Sequence, residues 1–277
     1  MGRDSNKRLF KKGQRIKLNI IDLAFGGKGI AKIKTQDGEF VCFVENTLPG
    51  QQVLASVNKC KKKHAECRLV EVLKKSETEI EIPYQLIPGA PYSKLPIKLQ
   101  EANKKTTCLE LFKRIGNFNN IEYYFDEFIS SPSAWHYRNK MEYSFSAIRY
   151  DFDLKQDVDD FAFGFKRRGT WWMVENLYKD SGLFDAQLEN AFPKLREFFK
   201  NSDLTPWHPP KKEGFYRFLV ARKSYSHDQI LLNLVTTSKG HKRFNMPLFI
   251  QLLKEIMGNR FSGLLHTLND SIGDRIQ

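Results

Sequence analysis

The stretch that decides the fold is His136-Tyr137-Arg138-Asn139-Lys140-Met141-Glu142-Tyr143-Ser144-Phe145-Ser146, together with its echo Phe161-Ala162-Phe163-Gly164-Phe165-Lys166-Arg167-Arg168-Gly169-Thr170-Trp171-Trp172. Met141, Tyr143 and Phe145 alternate with Lys140, Glu142 and Ser144, and Phe161, Phe163 and Phe165 alternate with Ala162 and Gly164. Period-2 alternation predicts two half-buried strands with one face in a core and one face free. Taken alone, the pair reads as an ordinary antiparallel hairpin with solvated ends. The charge placement adds to that reading. Arg138, Lys140, Lys166, Arg167 and Arg168 sit at strand entrances and exits beside Tyr137, Trp171 and Trp172. Cations interleaved with flat rings suit single-stranded nucleic acid, which is held through its phosphates and stacked through its bases.

Working outward, the 277 residues are enough for more than one domain, and a 41% hydrophobic content supplies real cores. A formal charge of +13 argues for a polyanionic partner, because clustered lysine and arginine release counterions from phosphates. No apolar run approaches the ~20 residues that span a bilayer, and residues 1–12 read as a basic arm, not a leader. A basic surface alone does not separate RNA from DNA or from an anionic membrane, but no membrane partner is expected. Four scattered cysteines, Cys42, Cys60, Cys67 and Cys108, are too sparse for a disulfide scaffold, and their spacing fits no metal site; a cytoplasmic setting is expected.

Toward the amino terminus, residues 13–73 predict a small β-barrel of the oligonucleotide-binding type. Its strands are the alternating Ile16, Leu18 and Ile20, then Ile30–Lys34, Phe40–Val44, Gln52–Val57 and Arg68–Leu73. Gly26-Gly27-Lys28-Gly29 is a turn and not a phosphate loop, since it opens no helix, and Asp37-Gly38 is a hairpin signal. Lys59, Lys61, Lys62 and Lys63 crowd the loop before the last strand, where a nucleic-acid backbone could be gripped.

Farther along, Leu99, Ala102, Thr106, Leu109, Phe112 and Ile115 recur at helical spacing, with Gly116 placed to end the helix. From 117 to 277 the pattern predicts an α+β domain with an antiparallel sheet. Tyr123–Ile129 is its first strand, Asp151–Asp160 an acidic solvated loop, and Trp171–Val174 a continuation of the sheet. Ser181 caps a helix that Pro193 kinks or splits, with Phe184, Leu188, Phe192, Leu195 and Phe199 facing inward. Tyr216–Arg222 and Gln229–Thr236 form an antiparallel pair, Asn245 caps a helix through Met257, and Phe261–Thr267 is a last strand.

Residues 13–73, with "GGKGIAKI" (26–33) and then "GEFVCFVENTLPGQQV" (38–53), resemble a TRAM domain. With "YRNKMEYSFS" (137–146), "FGFKRRGTWWMVE" (163–175) and "HTLND" (266–270) following in order, nearly the whole chain resembles the TRAM-domain RNA uracil-C5 methyltransferases of the TrmA and RumA type. The resemblance implies recognition of ribosomal or transfer RNA, with no DNA expected as partner, and S-adenosylmethionine as methyl donor. It also implies an iron–sulfur cluster in the loop after the barrel, but residues 83–92 contain no cysteine, so no cluster is expected. C5 methylation requires a thiolate to add at C6 and a base to remove the C5 proton. In the family these groups lie in a Rossmann-like domain after the "HTLND" strand. None of the four cysteines resembles the family nucleophile, so the expectation is that the Rossmann-like methyltransferase domain and cofactor site are missing from this chain, which carries no catalytic residue and is inactive alone. That makes it the amino-terminal RNA-recognition portion of a methyltransferase or, second, a standalone non-enzymatic RNA-binding protein; third, the likeness is historical only. The expected division is a basic arm (1–12), a TRAM barrel (13–73), a degenerate cluster loop and helix (74–116) and a central RNA-recognition domain (117–277). The 99–115 helix, lacking its family partner, is expected to expose apolar surface and favour self-association.

Overall fold

The computed structural model describes residues 9–36 and 38–273. Most of the expected basic arm and Asp37 of the expected hairpin lie outside them. The chain divides into two compact units, one drawing on Met1–Ile82 and Ala90–Pro132, the other on Pro83–Gly89 and Ser133–Gln277.

In the first unit, β1 (Arg15–Asn19), β2 (Asp22–Leu23), β3 (Gly29–Thr35), β4 (Gly38–Glu45), β5 (Gln52–Cys60) and β6 (His64–Lys74) form one sheet in the order β1-β5-β6-β4-β3-β2. The pairings are antiparallel except β4–β6. Residues just after β1 curl the sheet shut: Ile20 N donates to Gln51 O at 2.9 Å on one side, and Ile21 N donates to Ile30 O at 2.8 Å on the other. The alternating Leu18, Cys42, Val44, Val53, Ala55, Val57, Ala65 and Cys67 fill the interior. The glycine stretch is a turn, as expected: Gly27 N donates to Ala24 O, and Gly26 and Gly27 hold φ of 85° and 84°, open mainly to glycine. The last strand begins at His64 and not Arg68, because burial of Ala65 and Cys67 carries the alternation further back. That confines the lysine run to a tight turn.

Beyond the barrel come α1 (Ile97–Arg114) and α2 (Ile121–Tyr124). No residue of α1 is buried, and Leu99, Leu111, Phe112 and Ile115 are exposed. The strand expected at Tyr123–Ile129 does not form; the segment is one helical turn followed by unpaired chain, with Tyr123 86% exposed. β-propensity reflects fit to a half-buried sheet surface, and here no sheet receives the aromatic run.

In the second unit, β7 (Lys140–Asp151), β8 (Gln156–Lys166), β9 (Val174–Asn176), β10 (Tyr216–Ser224), β11 (Gln229–Thr236) and β12 (Phe261–Leu268) take the order β12-β11-β10-β7-β8-β9. One face is covered by α3 (Ala186–Asn190), α4 (Phe192–Lys200) and α5 (Met246–Met257). Aromatic contacts knit the layers: Tyr143 to Phe192 at 4.4 Å, Phe145 to Phe199 at 5.0 Å and Phe199 to Phe249 at 5.0 Å between ring centroids. Phe184, Leu188, Phe192, Leu195 and Phe199 are all buried, and the chain breaks at Ala191 ahead of Pro193.

Several expectations are corrected. The sheet is mixed, not antiparallel: β12 runs parallel to β11, because the connection carries α5 and is long enough to cross over. The acidic stretch Asp151–Asp160 is not a loop but mostly hairpin arm, with Arg149 bonding Asp151 at 3.0 Å and Asp160 at 2.9 Å. Asp185, and not Ser181, caps the helix, accepting from Leu188 N. Trp171–Met173 stay out of the sheet, which resumes at Val174. The face opposite the helices is not free throughout, since Ser144, Ser146, Ala162 and Gly164 are buried.

Gly164 packs directly under β9. A Cβ there would lie 2.2 Å from Glu175 O and 2.6 Å from Leu177 N, both backbone atoms. Gly164→Ala is therefore expected to displace β9 and cost about 2–3 kcal/mol, read from urea unfolding, with amide exchange accelerating at Val174–Asn176.

Candidate nucleic-acid interface

On the barrel, Lys59 is the penultimate residue of β5 and Lys61–Lys63 make the turn into β6, closed by Lys61 N donating to His64 O at 2.8 Å. All four are exposed. Phe10 packs edge-on against Phe40, 5.7 Å between centroids, and brings Lys11 and Lys12 to a shallow recess shared with Asn58, Lys59 and Lys61. None of these lysines forms an ion pair with a described carboxylate, whereas Lys28 meets Glu45 and Glu66, and Lys32 meets Glu39 at 2.8 Å.

On the second unit, the approach to β7 is pinned through its backbone. His136 N donates to Gly182 O at 2.7 Å, its ring bonds Asp180 at 2.8 Å, and Arg138 N donates to Leu183 O at 3.1 Å. The Tyr225 hydroxyl donates to the carbonyls of His136 and Arg138. The side chains of Tyr137 and Arg138 are left exposed, as is Lys140.

The other expected residues divide. Lys166 is half-buried, its ammonium 5.5 Å from the Phe218 ring centre, and Arg168 is also half-buried. Trp171 is 54% exposed and edge-on to Trp172. Arg167 is drawn inward: its guanidinium lies 3.3 Å from the Tyr150 ring centre and 2.5 Å from Glu175. Burial raises the Glu175 carboxyl, and Arg167 offsets part of that rise. Arg167 thus neutralises a buried acid within the fold. The sequence reading missed Arg222, which stands exposed and directly opposite Lys140 across β7 and β10. Its signal was present as the last residue of the expected Tyr216–Arg222 strand.

Three cysteines, Cys42, Cys60 and Cys67, are buried in the barrel, and Cys108 is exposed on α1. The neighbouring Cys67 thiol and burial push the Cys42 thiol up, so it stays protonated as core filler. No helix among the described residues is long and apolar enough to cross a membrane.

Comparison with known proteins gives this geometry a context. Residues 9–70 match the TRAM domain. The chain is 31% identical over 272 residues to an uncharacterized RNA methyltransferase of Clostridium tetani, covering 96% of this chain and 56% of that protein. A counterpart in Caldanaerobacter subterraneus is 29% identical, with the same coverage. Among solved structures, the Pyrococcus abyssi tRNA (uracil-54, C5)-methyltransferase, in complex with S-adenosyl-L-homocysteine, superposes with a TM-score of 0.54 at 19% identity, over 83% of this chain and 49% of that one. The chain carries a TRAM domain and is similar to RNA methyltransferases; it spans about half the length of the curated relatives it matches.

These findings correct the expectation that nothing of a methyltransferase fold is present, since 83% of the chain superposes on 49% of a methyltransferase chain. They also correct the two functional expectations, a bare recognition portion and a non-enzymatic RNA-binding protein, because nearly every residue aligns with RNA methyltransferases. The expected absence of the S-adenosylmethionine site draws no support from these findings.

The end of β10 and the approach to β12 are tied by a charged cluster. Asp185, only 4% exposed, meets Lys223 at 2.9 Å and Arg260 at 2.5 Å, and both cations also reach Asp228. Burial pushes the Asp185 carboxyl up, but Arg260, Lys223 and the Leu188 amide outweigh it and hold it at about 2. A depressed carboxyl stabilises the fold above its ordinary value and ceases to do so as pH falls through its folded value. The urea-unfolding gap between wild type and Asp185→Asn is therefore expected to include about 2 kcal/mol from this shift at pH 6, shrinking between pH 4 and pH 2.

Proposed function

We propose that this protein is an RNA methyltransferase that takes its methyl group from S-adenosylmethionine and acts on a uracil of ribosomal or transfer RNA, at C5. The observation that carries this reading is the alignment of 96% of the chain with RNA methyltransferases. The exposed cations without a described carboxylate partner support it. The barrel offers Lys59, Lys61, Lys62 and Lys63, and the second unit offers Arg138 and Lys140 beside the exposed rings of Tyr137 and Trp171. Phosphate contacts from the lysines and arginines set affinity, and the exposed rings stack on unpaired bases. S-adenosylmethionine as donor draws support from the related fold solved with S-adenosyl-L-homocysteine, the product that methyl transfer leaves.

Incubating the full chain with methyl-labelled S-adenosylmethionine and unmodified tRNA or rRNA transcripts is expected to place label in 5-methyluridine, with no transfer to DNA of the same sequence. Absence of label in RNA would sink the reading. Binding to the same transcripts is expected to weaken steeply with salt, and replacing Lys61, Lys62 and Lys63 together by glutamine should lower the slope of log K against log salt by about 2–3.

A further inference from the structure

We propose that the end of the second sheet where β7, β10 and β11 meet holds a phosphate-binding site centred on Arg222 and Lys140. The two residues are directly paired across the antiparallel β7–β10 ladder. Side chains so paired start about 4.5–5.5 Å apart at Cβ, and like charges in that position repel. Elsewhere this fold neutralises such charges: Arg149 has Asp151 and Asp160, and Lys223, the residue after Arg222, turns to the other face and meets Asp185 and Asp228. Neither Lys140 nor Arg222 has an ion pair with any described carboxylate, and Glu142, next on the same face of β7, pairs with neither. The sheet tolerates an uncompensated repulsion at its central strand.

The surroundings fit an anion. A recess at Arg222 is lined also by Asn139, Lys223, Ser224, Gln229, Leu231 and Ser262; the amides and hydroxyls among them are donors, and no acid lines it. A guanidinium forks onto two phosphate oxygens while an ammonium contributes a compact point charge, so one phosphate between Arg222 and Lys140 relieves their repulsion and satisfies both. The ligand class is the phosphodiester of an RNA backbone. This rests on the RNA reading above and adds the sheet face and the residue that grip the phosphate.

The test compares the full chain with Arg222→Gln and Lys140→Gln in binding a tRNA transcript across a salt series. Each variant is expected to bind about tenfold more weakly at low salt, with the salt slope smaller by about 1. Thermal midpoints should hold or rise, because a like-charge contact has gone. Wild-type affinity and slope in both variants would overturn the site and leave the RNA reading standing. A lowered midpoint for Arg222→Gln with unchanged binding would also overturn it, placing the guanidinium in the service of the fold. Should wild type show no salt-sensitive RNA binding, the RNA reading fails, and inorganic phosphate decides the site. A midpoint raised by phosphate over chloride at equal ionic strength, in wild type and not in Arg222→Gln, upholds it; no such shift overturns it.

Discussion

Phe163 lies face to face between two other rings, Phe145 at 4.2 Å and Phe192 at 4.5 Å, and the second unit depends on that stack. Phe145 and Phe163 are cross-strand partners in β7 and β8, while Phe192 opens α4, so one sandwich fixes strand register and helix position together. Side chains alternate faces along a strand, and a one-residue slip would move every aromatic out of the core. The same register sends Lys140 and Arg222 to the opposite face. The aromatic stack thus places the cations without touching them.

How much of this was legible follows from which interactions are local. Strict alternation identified β7, β10, β11 and the barrel strands, and capping chemistry identified α5, where Asn245 accepts from Leu248 N. The inward set from Phe184 to Phe199 was readable from helical spacing alone. Tertiary partners decided the remainder. Asp151–Asp160 looked like a solvated loop because nothing in its own sequence discloses Arg149 lying across it. Tyr123–Ile129 has strand composition but no sheet edge to join, and the parallel entry of β12 depends on α5 carrying the chain back along the sheet before β12 begins.

The candidate site was legible as a composition and not as a geometry. A run such as Lys166-Arg167-Arg168 supplies three cations at one place in the chain, yet the fold gives them different surroundings. Arg167 is committed to Tyr150 and Glu175, and Lys166 lies near Phe218. Arg222, outside any run, emerges only once register sets it against Lys140. The functional expectations failed differently. They rested on motifs sought and not found, whereas the alignment is a positive observation, taking in 96% of this chain and 56% of an RNA methyltransferase.

The charge of this protein is better read as two populations than as a sum. One population is neutralised within the fold: Arg149, Arg167, Lys223 and Arg260 meet carboxylates, and the buried Arg217 donates to the carbonyls of Asn269, Ser271 and Gly273, fixing how the chain leaves β12. Removing one of these leaves a buried acid or carbonyl without its donor, so the cost falls on stability. The other population, Lys59 and Lys61–Lys63 on the barrel and Lys140 with Arg222 on the sheet, meets no described carboxylate. Self-repulsion within it opposes folding, and a polyanion relieves that repulsion on binding. Stability and salt-dependent binding therefore report on different arginines and lysines of the same chain. A protein whose +13 were merely spread for solubility would show no such division.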